Sequence, residues 1–329
     1  MSFKIDSEFR NLVFEGGGVK GAAYGGALRE LERIDVLPKI TRVTGTSAGA
    51  ITAVLVALGY SAKEVSGIVA KMNFNDFADD SFGYIFDVMR LLKRFGWHKG
   101  NNFYNWISKL IKKRTGRESL TFRELHELSG KNGFKELYII GTNLSNQCSE
   151  IYSYETEQDM EIRDAARISM GIPLYYQAVR RKSDILVDGG VTMNYPIHIF
   201  DNKKYLDNKK NGEIVEYNKS RGYVFNHETL GFRLDTKDEM LFNKMGWSNV
   251  PKKINNLKNY TTALLNYITE SANKKHLHKN DWNRTIFIDT IGVKTTDFNL
   301  SKKKINALMT MGEQGVISYF KWKNNKQSK

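Results

Sequence analysis

Five residues constrain this chain more than any others: Gly45-Thr46-Ser47-Ala48-Gly49, set between a β-branched run at residues 39–44 and an apolar run at 48–58. A serine on so tight a strand-to-helix turn is pushed out of the backbone, and glycines two residues to either side are needed to avoid clashes with neighbouring elements. Its hydroxyl sits at the positive end of the following helix, which favours developing negative charge. This is the nucleophile-elbow pattern, and it presupposes a strand that feeds directly into a helix. Residues 43–62 carry no charge. Their polar, turn-prone start leaves too few apolar residues for a membrane span, which needs about twenty; a buried core helix is expected instead.

The surrounding segments alternate in the same way. Residues 11–14 form a short apolar run leading into Gly16-Gly17-Gly18, and residues 21–33 read as a helix with small residues on its packing face. Ser61 with Glu64 is a capping box that starts another helix. Further strands are expected at 137–141, 151–154, 175–179 and 185–187. Strand-helix alternation with short connections implies an α/β fold, a mostly parallel sheet with helices on its faces. The 329 residues suffice for one large domain. We divide them into a core at 1–201 and a basic, mainly helical extension at 202–329 packed on the same domain, where a lid or membrane-facing part would lie. In the extension, helices are expected at 252–275 and 301–323, around a strand at 284–289.

Charge is unevenly distributed. Residues 1–200 hold 26 Lys and Arg against 23 Asp and Glu, whereas residues 201–329 hold 24 against 13. A surplus of +11 in the second part suits nucleic acid, an anionic membrane surface or solvent. Between residues 74 and 117, Phe82, Ile85, Phe86, Met89, Leu92 and Phe95 recur at helical spacing with Arg90, Lys93, Arg94 and Lys99 interleaved. Core packing of a surface helix is expected there, with a lipid-facing lid as the alternative. Cys148 is the single cysteine, which excludes an intramolecular disulfide and a thiolate zinc site. Residues 1–10 are charged and lack the apolar stretch of a secretory signal, so a cytoplasmic protein with peripheral membrane association is expected.

Two other segments can carry chemistry. Gly16-Gly17-Gly18-Val19-Lys20-Gly21 formally satisfies a dinucleotide fingerprint, yet the second strand ends in Thr44-Gly45 with no acidic residue to hold a ribose, and a P-loop lysine is absent. What remains is a row of backbone N–H groups able to hold an anion. A serine nucleophile also needs a base. His198, ten residues after Asp188, is the one histidine placed for a triad, with a helix-surface role as the bland reading. Asp188-Gly189-Gly190 follows an apolar strand directly, which aims the carboxylate at the crevice beyond the strand ends, or else marks an ordinary Asp-Gly turn.

Taken in order, Gly16 to Gly21, Gly45 to Gly49 and Asp188-Gly189-Gly190, together with Ala165-Ala166-Arg167-Ile168-Ser169-Met170-Gly171-Ile172-Pro173, resemble the patatin-like phospholipase family over residues 11–200. The resemblance implies an α/β/α sandwich and a Ser-Asp dyad working without histidine. It assigns Ser47 as nucleophile, Asp188 as general base, and the Gly16, Gly17 and Gly18 amides as oxyanion hole, with Lys20 at the basic position of that loop and Gly45 and Gly49 framing the elbow. It implies no cofactor and no metal, an acyl-ester lipid as substrate, and in some members an activating partner or nucleotide. A nucleotide-binding module built on the glycine loop and a Ser-His-Asp esterase using His198 are the alternatives.

Overall fold

The computed structural model describes residues 8–79, 84–213, 223–240, 253–276 and 278–327. The strands are β1 (Asn11–Phe14), β2 (Arg42–Thr46), β3 (Gly96–His98), β4 (Glu136–Asn143), β5 (Cys148–Tyr152), β6 (Leu174–Tyr176), β7 (Val179–Arg181), β8 (Asp184–Asp188), β9 (Gly212–Glu213), β10 (Phe225–Asn226), β11 (Thr229–Asp235) and β12 (Thr285–Asp289). The helices are α1 (Ala23–Arg33), α2 (Ala48–Ala57), α3 (Ala62–Lys71), α4 (Tyr84–Arg94), α5 (Asn101–Thr115), α6 (Phe122–Leu128), α7 (Tyr154–Glu157), α8 (Ile162–Ser169), α9 (Leu257–His276) and α10 (Lys302–Gln327).

The central sheet runs β12-β11-β1-β2-β4-β8-β7, with β5 also on β4. Pairing is parallel from β12 to β4 and antiparallel at β5, β8 and β7. Strand alternation sorts the side chains onto two faces. Leu12 and Phe14 enter the large core beneath the helices, while Val13 joins Tyr138, Tyr195, Ile197 and Phe200 on the other side. Every residue of α2 is buried, as its uncharged sequence requires. The expected capping box starts α3: the Ser61 hydroxyl accepts from the Glu64 amide, and the Glu64 carboxylate from the Ser61 amide.

One expectation is extended and two are corrected. The region after residue 201 is mainly helical as expected, through α9 and α10, but it is more than an addition, because β11 and β12 complete the central sheet and β11 pairs directly with β1. The strand expected at 175–179 is two short strands, since the Gln177 and Ala178 amides turn away to the carbonyls of His98 and Arg94. On α4 and just after it, Met89, Leu92 and Phe95 are exposed and Arg90 is buried, the reverse of core packing. Phe82, and the side chains of Ile85 and Phe86, lie outside the described residues.

Candidate active site

The site assembles at the carboxyl ends of β1, β2 and β8. Ser47 joins β2 to α2 with φ 53° and ψ −123°, a backbone conformation costly for any residue with a Cβ. The neighbouring glycines show why the turn is this tight. A Cβ on Gly45 would overlap the Gly49 carbonyl, and one on Gly49 would overlap the Phe14 carbonyl. The Ser47 amide donates to the Ser169 hydroxyl at 3.0 Å, tying the turn to the end of α8.

Asp188 ends β8, and its amide donates to the Gly171 carbonyl at 2.9 Å. Its carboxylate accepts the Gly190 amide at 2.7 Å and lines the same cavity as Ser47. Burial pushes this carboxyl up to about 7, and the Gly190 amide and the nearby Ser47 side chain only partly oppose that rise. Gly189 lets the strand end lie against β4, where a Cβ would overlap the Ile140 carbonyl.

The glycine loop forms the third wall. The Gly16 amide, expected among the oxyanion donors, is donated to the Asn194 carbonyl at 3.1 Å, and the Asn194 side-chain amide returns a bond to the Gly16 carbonyl. The Gly17 and Gly18 amides have no backbone acceptor among the described residues, and both glycines line the cavity. Gly18 has φ +53°, and a side chain there would strike the Thr295 carbonyl. Lys20 points its ammonium at the Leu234 carbonyl, 3.0 Å away. Glu15, buried before the loop, accepts the Leu234 amide at 2.8 Å. Burial lifts its carboxyl to about 7 although the Arg233 guanidinium pulls it down.

These groups share a cavity of about 310 Å³ that also takes in Ile172, Pro173 and Val293 from the loops and Asn266 and Glu270 from α9. His198 is not among its lining residues. Its Nδ1 faces Asp201 at 2.8 Å and its Nε2 faces Asp281 at 3.1 Å, inside an ion cluster completed by Arg284. Burial alone would lower its pKa, but the two carboxylates carry it up to about 9. His198 is thus neither a triad base nor on a helix surface. Among the described residues no group of three His, Cys, Asp or Glu is placed to hold a metal ion.

Sequence reasoning missed Asn194, Arg233 and Thr295, which shape the loop from elsewhere in the chain. A family model described as patatin-like phospholipase matches residues 12–201, the span that supplies Ser47, Asp188 and the glycine loop. The chain belongs to the patatin-like phospholipase family. Protein R571 of Acanthamoeba polyphaga mimivirus is 32% identical to this chain over 197 residues, 60% of this chain and 63% of the viral one. A probable lipid hydrolase, 463L of Invertebrate iridescent virus 6, is 26% identical over 218 residues, 65% of this chain and 71% of its own. VipD from Legionella pneumophila superposes with a TM-score of 0.58 at 17% identity, covering 95% of this chain and 66% of that one, a likeness of fold. The chain therefore spans less than two thirds of R571 and of VipD.

Proposed function

We propose that this protein is a lipid acyl hydrolase of the phospholipase A or lysophospholipase type, working through an acyl-Ser47 intermediate. The observation that carries the reading is that Ser47, on its strained strand-to-helix turn, and the buried Asp188 carboxylate line one cavity together with Gly17 and Gly18. The family and the name of its viral relative, a probable lipid hydrolase, favour an acyl-ester lipid as substrate.

In this scheme Asp188 takes the Ser47 proton as the serine oxygen attacks the ester carbonyl. The Gly17 and Gly18 amides hold the resulting oxyanion, and losing one such donor typically costs about a hundred- to a thousandfold in rate. Collapse breaks the ester bond, and the proton on Asp188 passes to the departing alcohol or lysolipid. Asp188 then deprotonates a water that attacks the acyl-serine, and the fatty acid leaves with Ser47 restored. A base at its ordinary carboxylate pKa is poorly matched to this task; burial brings Asp188 close to neutrality. Only the ionised form accepts the proton, so hydrolysis should climb as pH rises through about 7.

Residues 202–329 are read as part of the same domain, supported by the pairing of β11 with β1. Peripheral contact with an anionic membrane surface fits the basic composition of that part. The test is fatty-acid release from mixed-phospholipid vesicles by wild type, Ser47→Ala and Asp188→Asn. Release that both substitutions reduce by a thousandfold or more supports the dyad, an order of magnitude in line with the loss of a catalytic-triad member, about 10⁴ or more. Release that survives Asp188→Asn contradicts it.

A further inference from the structure

We infer that the mouth of the Ser47 cavity carries an apolar rim that docks on a phospholipid bilayer, so that a lipid passes from the leaflet into the cavity. This inference rests on the proposed lipid hydrolysis and names the surface that serves it.

Three separate segments line the cavity, and in each an exposed apolar residue is the chain neighbour of a lining residue. Leu174 follows Pro173 and is 50% exposed; Ile291 precedes Gly292 and is 40% exposed; Tyr267 follows Asn266 and is 70% exposed. Phe95, also exposed, precedes Gly96, which pairs with Leu174. Helix α9 repeats the arrangement along its length. Asn266, Thr269 and Glu270 face the cavity, while Tyr260, Leu264 and Tyr267 are exposed at the i, i+4, i+7 spacing of one helical stripe. A helix with its polar side inward and its apolar side outward is built for a non-aqueous neighbour.

The backbone supplies an independent observation. Phe95 (φ 63°), Leu174 (φ 67°) and Ile291 (φ 47°) all adopt left-handed conformations. Bulky and β-branched residues rarely do so, and such strain persists where the surroundings impose it, often at functional sites. Here it holds three apolar side chains in solvent, where burial cannot repay it.

Charge complementarity selects the partner. Lys294 lies three residues after Ile291 and lines the cavity, and Lys253 is exposed ahead of α9. Both belong to the part of the chain with 24 basic against 13 acidic residues. Lysines beside a Tyr- and Leu-bearing surface suit an anionic leaflet, with the aromatic rings at headgroup depth.

The test measures partition onto phosphatidylcholine vesicles with and without phosphatidylglycerol, using full-length Ser47→Ala protein so that hydrolysis does not alter the vesicles. Into this background go Leu174→Asn with Ile291→Asn and, separately, Leu264→Asp with Tyr267→Asp. Asparagine tolerates the left-handed backbone, so the first pair should melt no lower than its parent. Partition should fall about tenfold or more in each pair, and should be stronger with phosphatidylglycerol and weaken with added salt. Unchanged partition in both folded variants would overturn the rim. So would a shift in oligomeric state without loss of partition, which would assign the surface to a second copy of this chain. Because partition is read without hydrolysis, a parent that binds vesicles while wild type releases no fatty acid would sink the hydrolase reading and leave the rim standing.

Discussion

At the scale of single residues, the site concentrates carboxyl groups held away from water. Asp188 and Glu15 are both raised to about 7 by burial. A carboxyl raised in the folded state favours folding below its unfolded pKa, and that contribution is lost as pH climbs through the folded value. Asp188→Asn, which keeps an acceptor for the Gly190 amide, should therefore melt higher than wild type at pH 8. The gain should shrink toward pH 4 and amount to a few kcal/mol at most, at about 1.4 kcal/mol per pKa unit. Thermal melts across that range check it; a gain independent of pH would show that the ionised carboxylate is not what strains the fold. Ser47, Asp188 and the glycines were legible in the sequence because each lies in a short local pattern. Asn194 and Thr295 were not, since their roles arise only where distant segments meet the glycine loop. His198 shows the converse, an attractive spacing that the fold commits to Asp201 and Asp281.

At the scale of elements, close approach explains most glycines. Helices α1 and α10 cross so tightly that a Cβ on Gly26 would overlap the Met309 carbonyl, and one on Gly312 would overlap the Ala23 carbonyl. Gly26→Ala should destabilise the protein by about 1–3 kcal/mol or more through overpacking, measured by urea unfolding; a neutral result would mean the two helices slide apart easily. The strands and helices of the first half were readable because apolar periodicity and caps agree there. Strand β11 escaped because Gly231, Arg233 and Asp235 interrupt its apolar run. All three are buried, and the two charged residues pair with each other while Arg233 also faces Glu15. Helix α4 misled for the opposite reason, since helical spacing of apolar residues says that they share a side and not what covers it.

At the scale of the whole molecule, the sheet joins the two parts of the chain. Strand β1, which leads into the glycine loop, lies between β2 and β11. A fragment ending at residue 201 would leave β1 an unpaired edge and open the Phe14, Tyr24 and Phe232 ring cluster. It should not fold cooperatively, and circular dichroism melts of the fragment and the full chain compare the two; a sharp transition in the fragment would show that the first part suffices. Charge surplus, α9 and the rim residues Ile291 and Tyr267 also belong to the second part, so that it would supply both a wall of the cavity and, with Leu174 and Phe95 of the first part, its contact with lipid. The most direct measurement of the central claim is the intact mass of the protein in the first moments after mixing with an excess of a short-chain acyl ester, followed by peptide mapping. The account predicts a mass increase of one acyl group, located on Ser47, absent in Ser47→Ala and strongly diminished in Asp188→Asn. An acyl group on another residue, or ester turnover that persists in Ser47→Ala, would contradict it.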